Sequence, residues 1–199
     1  MHSGLIREER AGEAELEPLM IRYQQGDSSA ATALVEHLSG PLLRYFGAQP
    51  VGRRYADDLL QETWMRIHQA RHTYRPGSPV RPWVFAIGRH VQVDHYRRLS
   101  RRERRELQVE TIPEHVPLSQ EAATPRLDLA AVLGLLPESQ RQVIAMLKVS
   151  GMSLEEVARA TASTVGSVKQ KAHRAYTALS KILMSERKST KEQPSGTNG

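Results

Sequence analysis

A segment near the middle of the chain, residues 108–125, does most to limit what the rest can become. It carries Pro113, Pro117 and Pro125, three glutamates, no Lys or Arg, and no sustained apolar period. Each proline removes a backbone donor and disfavours helix in the residue before it, so this stretch predicts a linker between two packed bodies. The expected division is 1–107 for the first body, 126–184 for the second, and 185–199 for a polar tail that buries nothing and stays disordered. A chain of 199 residues accommodates two such small bodies. Only 5% of its residues are aromatic, so the cores must be built mostly from Leu, Val, Ile and Ala rather than from large rings. No β alternation is present, and the fold class expected is all-α, two small helical domains.

The periodicity is sharpest over residues 56–68. At about 100° per residue, Ala56, Leu59, Leu60, Thr63, Trp64 and Ile67 fall on one side of a helix. Asp57, Asp58, Gln61, Glu62 and Met65 fall on the other, an acidic and amide face with a methionine at its centre. A solvated face is the ordinary meaning of such residues, but a thioether ringed by polar groups suits a partner-binding surface. The next helix opens near Pro79 and Pro82, with Trp83, Val84, Ile87 and Val91 as its core stripe. Phe85, Arg89, Gln92 and Tyr96 share another arc, where aromatics beside an arginine fit stacking on unpaired bases; packing on a neighbouring helix is the plainer alternative. Asp94 lies in the core stripe and needs a cationic partner, for which Arg97 and Arg98 are closest in sequence. Six arginines between Arg97 and Arg105 give the densest positive charge in the chain, suited to phosphates.

In the second body, Leu136-Pro137-Glu138 opens a helix and Gly151 closes it. Ser153 with Glu156 forms a capping box for a short helix, and Thr164 caps the helix that follows. In that last helix Val165, Val168, Ala172, Ala175 and Leu179 turn inward, leaving Lys169, Gln170, His173 and Arg174 outside, where a recognition helix meets bases.

Several classes are excluded or weakened. The absence of cysteine removes disulfides, thiolate nucleophiles and cysteine-ligated metals. The charged stretch 1–18 has no signal-peptide core and no apolar run is long enough for a bilayer, so a cytoplasmic protein without membrane insertion is expected. His90, Asp94 and His95 could suggest a metal-dependent nuclease, but His95 points away from the other two and no second acidic cluster has ligand spacing; no metal or other cofactor is expected.

Taken in order, three segments resemble the extracytoplasmic-function branch of the bacterial sigma factors. ADDLLQETWMRIHQARHTY is similar to the region-two helix that docks on the polymerase clamp, and PWVFAIGRHVQVDHYRR to the helix that engages the minus-ten element. LPESQRQVIAMLKVSGMSLEEVARATASTVGSVKQKAHRAYTAL is similar to region four, whose helix-turn-helix reads the minus-thirty-five element. The resemblance implies core RNA polymerase, promoter DNA and an anti-sigma factor as partners, and no catalysis by the chain itself. It implies core binding at Asp58, Gln61, Glu62 and Met65, and minus-ten recognition at Arg75, Gly77, Ser78, Phe85, Arg89 and Tyr96. Minus-thirty-five contacts are implied at Lys169, Gln170, His173 and Arg174. The sequence departs from the family at the turn, where Thr161-Ala162-Ser163 replaces a glycine between apolar residues, which predicts weaker turn packing. Lys169, Lys171, Ala172 and His173 also differ from the usual pattern, so no promoter preference carries over. The rival reading, a helix-turn-helix regulator acting without polymerase, leaves the methionine-centred face unexplained.

Overall fold

The computed structural model describes residues 14–49, 52–107 and 129–191. These residues form helices and turns, with no strand among them. The linker expected at 108–125 lies outside them.

The first body begins with a helix that the charged character of the amino terminus concealed. Residues 14–24 (α1) are helical and bury Leu16 and Met20. Asp27 then caps α2 (Ser28–Gly47), its Oδ1 accepting from the backbone of Ser29 at 2.9 Å and of Ala30 at 3.2 Å. In α2, Ala30, Leu34, Leu38, Leu42 and Tyr45 recur every three to four residues and are all buried, as an amphipathic helix requires. The helix expected at 56–68 is α3 (Gly52–Ala70), with Leu59, Thr63 and Ile67 inward. One 3₁₀ turn, Arg71–Thr73, leads to α4 (Val80–Leu107). Where α4 crosses α2 the approach is close: a Cβ on Gly88 would lie 3.3 Å from side-chain carbons of both Leu42 and Phe46, so a larger residue would require those side chains to shift.

The second body comprises α5 (Leu129–Gly134), α6 (Glu138–Ile144), α7 (Leu154–Ala160) and α8 (Val165–Lys191). The helix that Pro137 opens does not run evenly to Gly151. Residues Ala145–Val149 form a π turn, with Ser150 N donating to Ala145 O at 3.0 Å, and the chain leaves it through Gly151 at φ +68°. The capping box of α7 is complete, Ser153 Oγ accepting from Glu156 N and Glu156 Oε2 from Ser153 N. α8 continues past Ser185 to Lys191, so the expected tail begins as helix. After Gly166 the sequence has no glycine or proline before Pro194, and Lys, Arg and Glu are good helix formers.

The two bodies pack together. α4 lies along α7, and α2 meets the π turn. Polar contacts cross the boundary among the described residues: Arg89 Nε donates to Gln142 Oε1 at 3.0 Å, and Arg141 Nε to Gln49 Oε1 at 2.5 Å. Ser150 Oγ donates to Pro41 O at 3.3 Å, and Arg44 Nε to Val149 O at 3.4 Å.

Candidate polymerase and promoter interfaces

The outer face of α3 is as its periodicity predicts. Asp58, Gln61 and Met65 are exposed, Met65 at 53%, while Thr63 and Ile67 on the opposite side are at 0%. Glu62 differs, being half-buried. Its Oε1 accepts from Arg66 Nε at 2.9 Å, and Arg66 Nη1 donates to Asp94 Oδ2 at 2.9 Å, so a carboxylate–guanidinium–carboxylate chain ties α3 to α4. Arg66, rather than Arg97 or Arg98, is therefore the partner of Asp94. A residue on an adjacent helix outcompeted the arginines nearby in sequence, which contribute only at longer range. The hydrogen bond from Arg66 holds the Asp94 carboxyl below the usual carboxylate range.

The loop between α3 and α4 is a defined turn. Ser78 N donates to Arg75 O at 3.1 Å, with Pro76 second and Gly77 third at φ +84°, the pattern of a type II turn. Residues 75–78 are exposed, and the Tyr74 hydroxyl, whose ring is buried, donates to Ser78 O. Neither Glu17 nor Gln24 figures among the residues expected to bear on this loop, yet both bond to it from α1. The signal that could have found them is the apolar spacing of Leu16, Leu19, Met20 and Tyr23, which defines a helix within a charged stretch.

The arc of α4 expected to meet single-stranded DNA is covered. Phe85 is at 0% exposure, its ring edge-on to Tyr45 at 5.6 Å, so it belongs to the core and not to a base-stacking platform. The plainer alternative for this residue is the correct one, because an aromatic one turn from the core stripe is drawn into the α2–α4 contact. Arg89 is half-buried and engaged by Gln142, whose Nε2 donates to Glu138 Oε1 at 2.9 Å. Gln92, one turn on, is at 1% exposure. Tyr96, also half-buried, lines a cleft of about 420 Å³ with Arg97, Arg101 and, from α6, Glu138. Tyr45 lies behind this boundary, its hydroxyl pKa pushed up by burial.

The helix-turn-helix is intact despite its unusual turn. Ala162 occupies the left-handed position at φ +48° that a glycine would take without strain. Hydrogen bonds replace apolar packing there: Thr161 Oγ1 donates to Val157 O at 2.7 Å and lies 2.8 Å from Ser163 Oγ, while Ser163 N donates to Ala158 O at 2.9 Å. Thr164 Oγ1 then accepts from Ser167 N at 3.1 Å, capping α8 as expected. Val168, Ala172 and Ala175 are buried, and Lys169, Gln170, His173 and Arg174 are all exposed on the other side. Their spacing places two cations, an amide and an imidazole within two turns, a set suited to base edges and phosphates in a major groove.

An all-helical pair of bodies, one ending in an exposed helix-turn-helix, defines a DNA-binding protein of the helix-turn-helix class. Residues 34–102 match the Sigma-70 region 2 family and residues 126–179 the Sigma-70 region 4 family. The chain is 32% identical over 175 residues to the ECF RNA polymerase sigma factor SigF of Caulobacter vibrioides, covering 86% of this chain and 95% of that protein. To the ECF RNA polymerase sigma factor EcfG of Rhodopseudomonas palustris it is 32% identical over 148 residues, covering 72% and 80%. The fold is shared with CnrH, solved with the cytosolic domain of CnrY, at a TM-score of 0.66 and 24% identity over 85% of this chain and 97% of that one. It is also shared with the sigma factor RpoE of Bartonella quintana, solved with the anti-sigma factor NepR, at a TM-score of 0.59 and 24% identity over 74% and 92%. The chain belongs to the extracytoplasmic-function family of RNA polymerase sigma factors. It acts in transcription initiation, directing core polymerase to promoters. Among the described residues, no helix is long and apolar enough to cross a membrane.

Proposed function

We propose that the sigma factor's work is divided among three surfaces of this chain. The outer face of α3, with Asp58, Gln61, Glu62 and Met65, binds core polymerase. The turn at Arg75, Gly77 and Ser78, with Arg89 and Tyr96 further along α4, engages the minus-ten element. Lys169, Gln170, His173 and Arg174 on α8 read the minus-thirty-five element. The chain contributes binding energy and leaves bond chemistry to the polymerase, working in the cytoplasm with an anti-sigma factor as its antagonist. The Bartonella neighbour, solved with such a partner, supports that last assignment.

The observation that carries the reading is the exposure of Met65 at the centre of a polar face whose opposite side, at Leu59, Thr63 and Ile67, is buried. An exposed large apolar side chain so placed has a use when another protein covers it. Charge reversal at Asp58, or Met65→Glu, should weaken binding to core polymerase at least about tenfold with little change in melting temperature, because surface substitutions away from the core usually alter stability by less than about 0.5 kcal/mol. Binding of core by these variants at the parent's affinity would remove α3 from the polymerase interface.

A further inference from the structure

We propose that α1 sets promoter selectivity through the turn at residues 75–78, with Glu17 and Gln24 as its positioning residues. The inference rests on the assignment of that turn to the minus-ten element. The two side chains stand two helical turns apart on one face of α1, and both reach the segment between α3 and α4. Glu17 Oε1 accepts from Gly77 N at 2.5 Å. Gln24 Nε2 donates to two carbonyls at once, Arg71 O at 2.7 Å and Tyr74 O at 2.9 Å.

Each contact acts on a different part of the loop. In a type II turn the central peptide carries an N–H that the turn's own hydrogen bond does not use, and this is the group Glu17 takes. A carboxylate on that N–H fixes the plane of the Pro76–Gly77 peptide, and with it the directions in which Arg75 and Ser78 leave the turn. A charge-assisted bond of this kind is stronger than one to a neutral acceptor. Gln24 fixes the base of the loop, since Arg71 and Tyr74 bracket the last residues before the turn. Tyr23, one residue earlier, adds a third tie: its hydroxyl is hydrogen-bonded to His68 Nδ1 at 2.8 Å, and the Arg71 guanidinium lies 5.9 Å from its ring centroid. The loop is thus held at both ends by a helix that precedes the region 2 match at residues 34–102.

A loop that receives an extruded base discriminates only when its donors and acceptors are already in place, because a mobile loop can adjust to the wrong base. Removing a tie should therefore lower selectivity among promoters more than it lowers affinity for polymerase. The effect should also be confined to the minus-ten element, since α8 is built on the other body.

The test uses holoenzyme assembled from the full chain and core polymerase, transcribing a promoter library randomised in both elements, with the transcripts sequenced. A wrong base pair in a recognised site ordinarily costs at least about fivefold. Glu17→Ala and Gln24→Ala should each flatten the strongest minus-ten preference by about that factor, with minus-thirty-five preference and core affinity held within about twofold. Glu17→Gln, which keeps an acceptor for Gly77 N, should retain most of the preference; a variant that merely misfolded would lose core binding as well. If Arg75→Ala and Ser78→Ala change minus-ten preference while Glu17→Ala and Gln24→Ala do not, the positioning role is overturned and the turn's assignment survives. If Arg75→Ala and Ser78→Ala leave that preference unchanged, the assignment of the turn fails and the inference fails with it.

Discussion

The two helices assigned to promoter DNA stand in opposite conditions. The arc of α8 that carries Lys169, Gln170, His173 and Arg174 is bare, whereas the arc of α4 that carries Arg89, Gln92 and Tyr96 lies under α6 and α7 of the other body. Of the two proposed recognition surfaces, one is accessible in this arrangement and the other is not, so the proposed use of Arg89 or Tyr96 on DNA requires the bodies to part. The boundary has a weakness that favours parting. The buried amide of Gln92 finds no hydrogen-bond partner among the described residues, and an unsatisfied buried amide costs about 1–3 kcal/mol. The closed arrangement combines apolar packing of α4 on α7 with a few polar bonds, and the polar bonds are what a competing partner can replace.

The largest effect should come from breaking the strongest of those bonds. Arg141 joins Gln49 across the boundary and also donates to Leu136 O at 3.0 Å within its own body. Arg141→Ala should remove about 1.5–3 kcal/mol of contact, the range for hydrogen bonds to a charged group, and leave the fully buried Gln49 without its donor. Small-angle scattering should then show a larger radius of gyration, and fluorescent labels on α2 and α7 should move apart. An unchanged radius would mean that apolar packing of α4 on α7 holds the bodies by itself.

On the bare helix, Lys169→Ala and Arg174→Ala should cost about 1–3 kcal/mol at a matching base pair if the side chain reads a base, and weaken all sequences alike if it holds phosphate. Transcription by holoenzyme from minus-thirty-five variants separates the two outcomes, and core binding should persist in both. Arg89→Ala sharpens the contrast, because it breaks the bond to Gln142 as well as the proposed DNA contact; the isolated chain should expand with this substitution and not with those on α8.

A smaller gain is expected at the turn that presents α8. Ala162 adopts φ +48°, where a Cβ is strained and glycine is not. Ala162→Gly should stabilise the second body by about 0.5–1 kcal/mol, the strain relieved exceeding the entropy that glycine loses on folding. A thermal melt that moves downward would show that the hydrogen bonds of Thr161 and Ser163 already hold the turn without strain.

What could be read from the chain depended on how far apart the interacting residues lie in sequence. α3, α4 and α8 were legible because Leu59–Thr63–Ile67 and Val168–Ala172–Ala175 repeat at helical spacing, and the caps at Ser153 and Thr164 depend only on neighbours. The π turn was not: nothing in AMLKV distinguishes a bond to the fifth residue from one to the fourth. α1 had a readable period, hidden by the charges around it. The contacts between bodies were illegible for a different reason. Arg89 and Gln142 are ordinary surface residues to any local pattern, and only the packing of the second body against α4 makes partners of them. Phe85 shows the same limit, since an arc shared with Arg89 and Tyr96 does not say which of the three the core will take.

The smallest effect should appear in acid, and it concerns the first body. The hydrogen bond from the Ser29 side chain, the Ala30 backbone N–H and Arg22 together hold the Asp27 carboxyl far below its usual range, and the bond from Arg66 lowers that of Asp94. A carboxylate whose pKa is depressed on folding adds stability that is fully present above the unfolded value of about 3.9 and is lost as pH falls toward the folded value. Melting temperature should therefore hold steady from pH 7 to about pH 5 and decline below it. Asp94→Asn cannot ionise, so it should melt lower than the parent at pH 7 and show a shallower acid decline, the two curves converging once the Asp94 carboxyl of the parent is protonated. Asp27→Asn keeps a side-chain oxygen for capping α2 and should lose less at pH 7 than Asp94→Asn does, because asparagine caps a helix as well as aspartate. If the order is reversed, the Asp27 charge on Arg22, 2.6 Å from its Nη2, matters more than the Arg66 link between α3 and α4. If both variants follow the parent's acid curve, neither carboxylate contributes to the pH dependence.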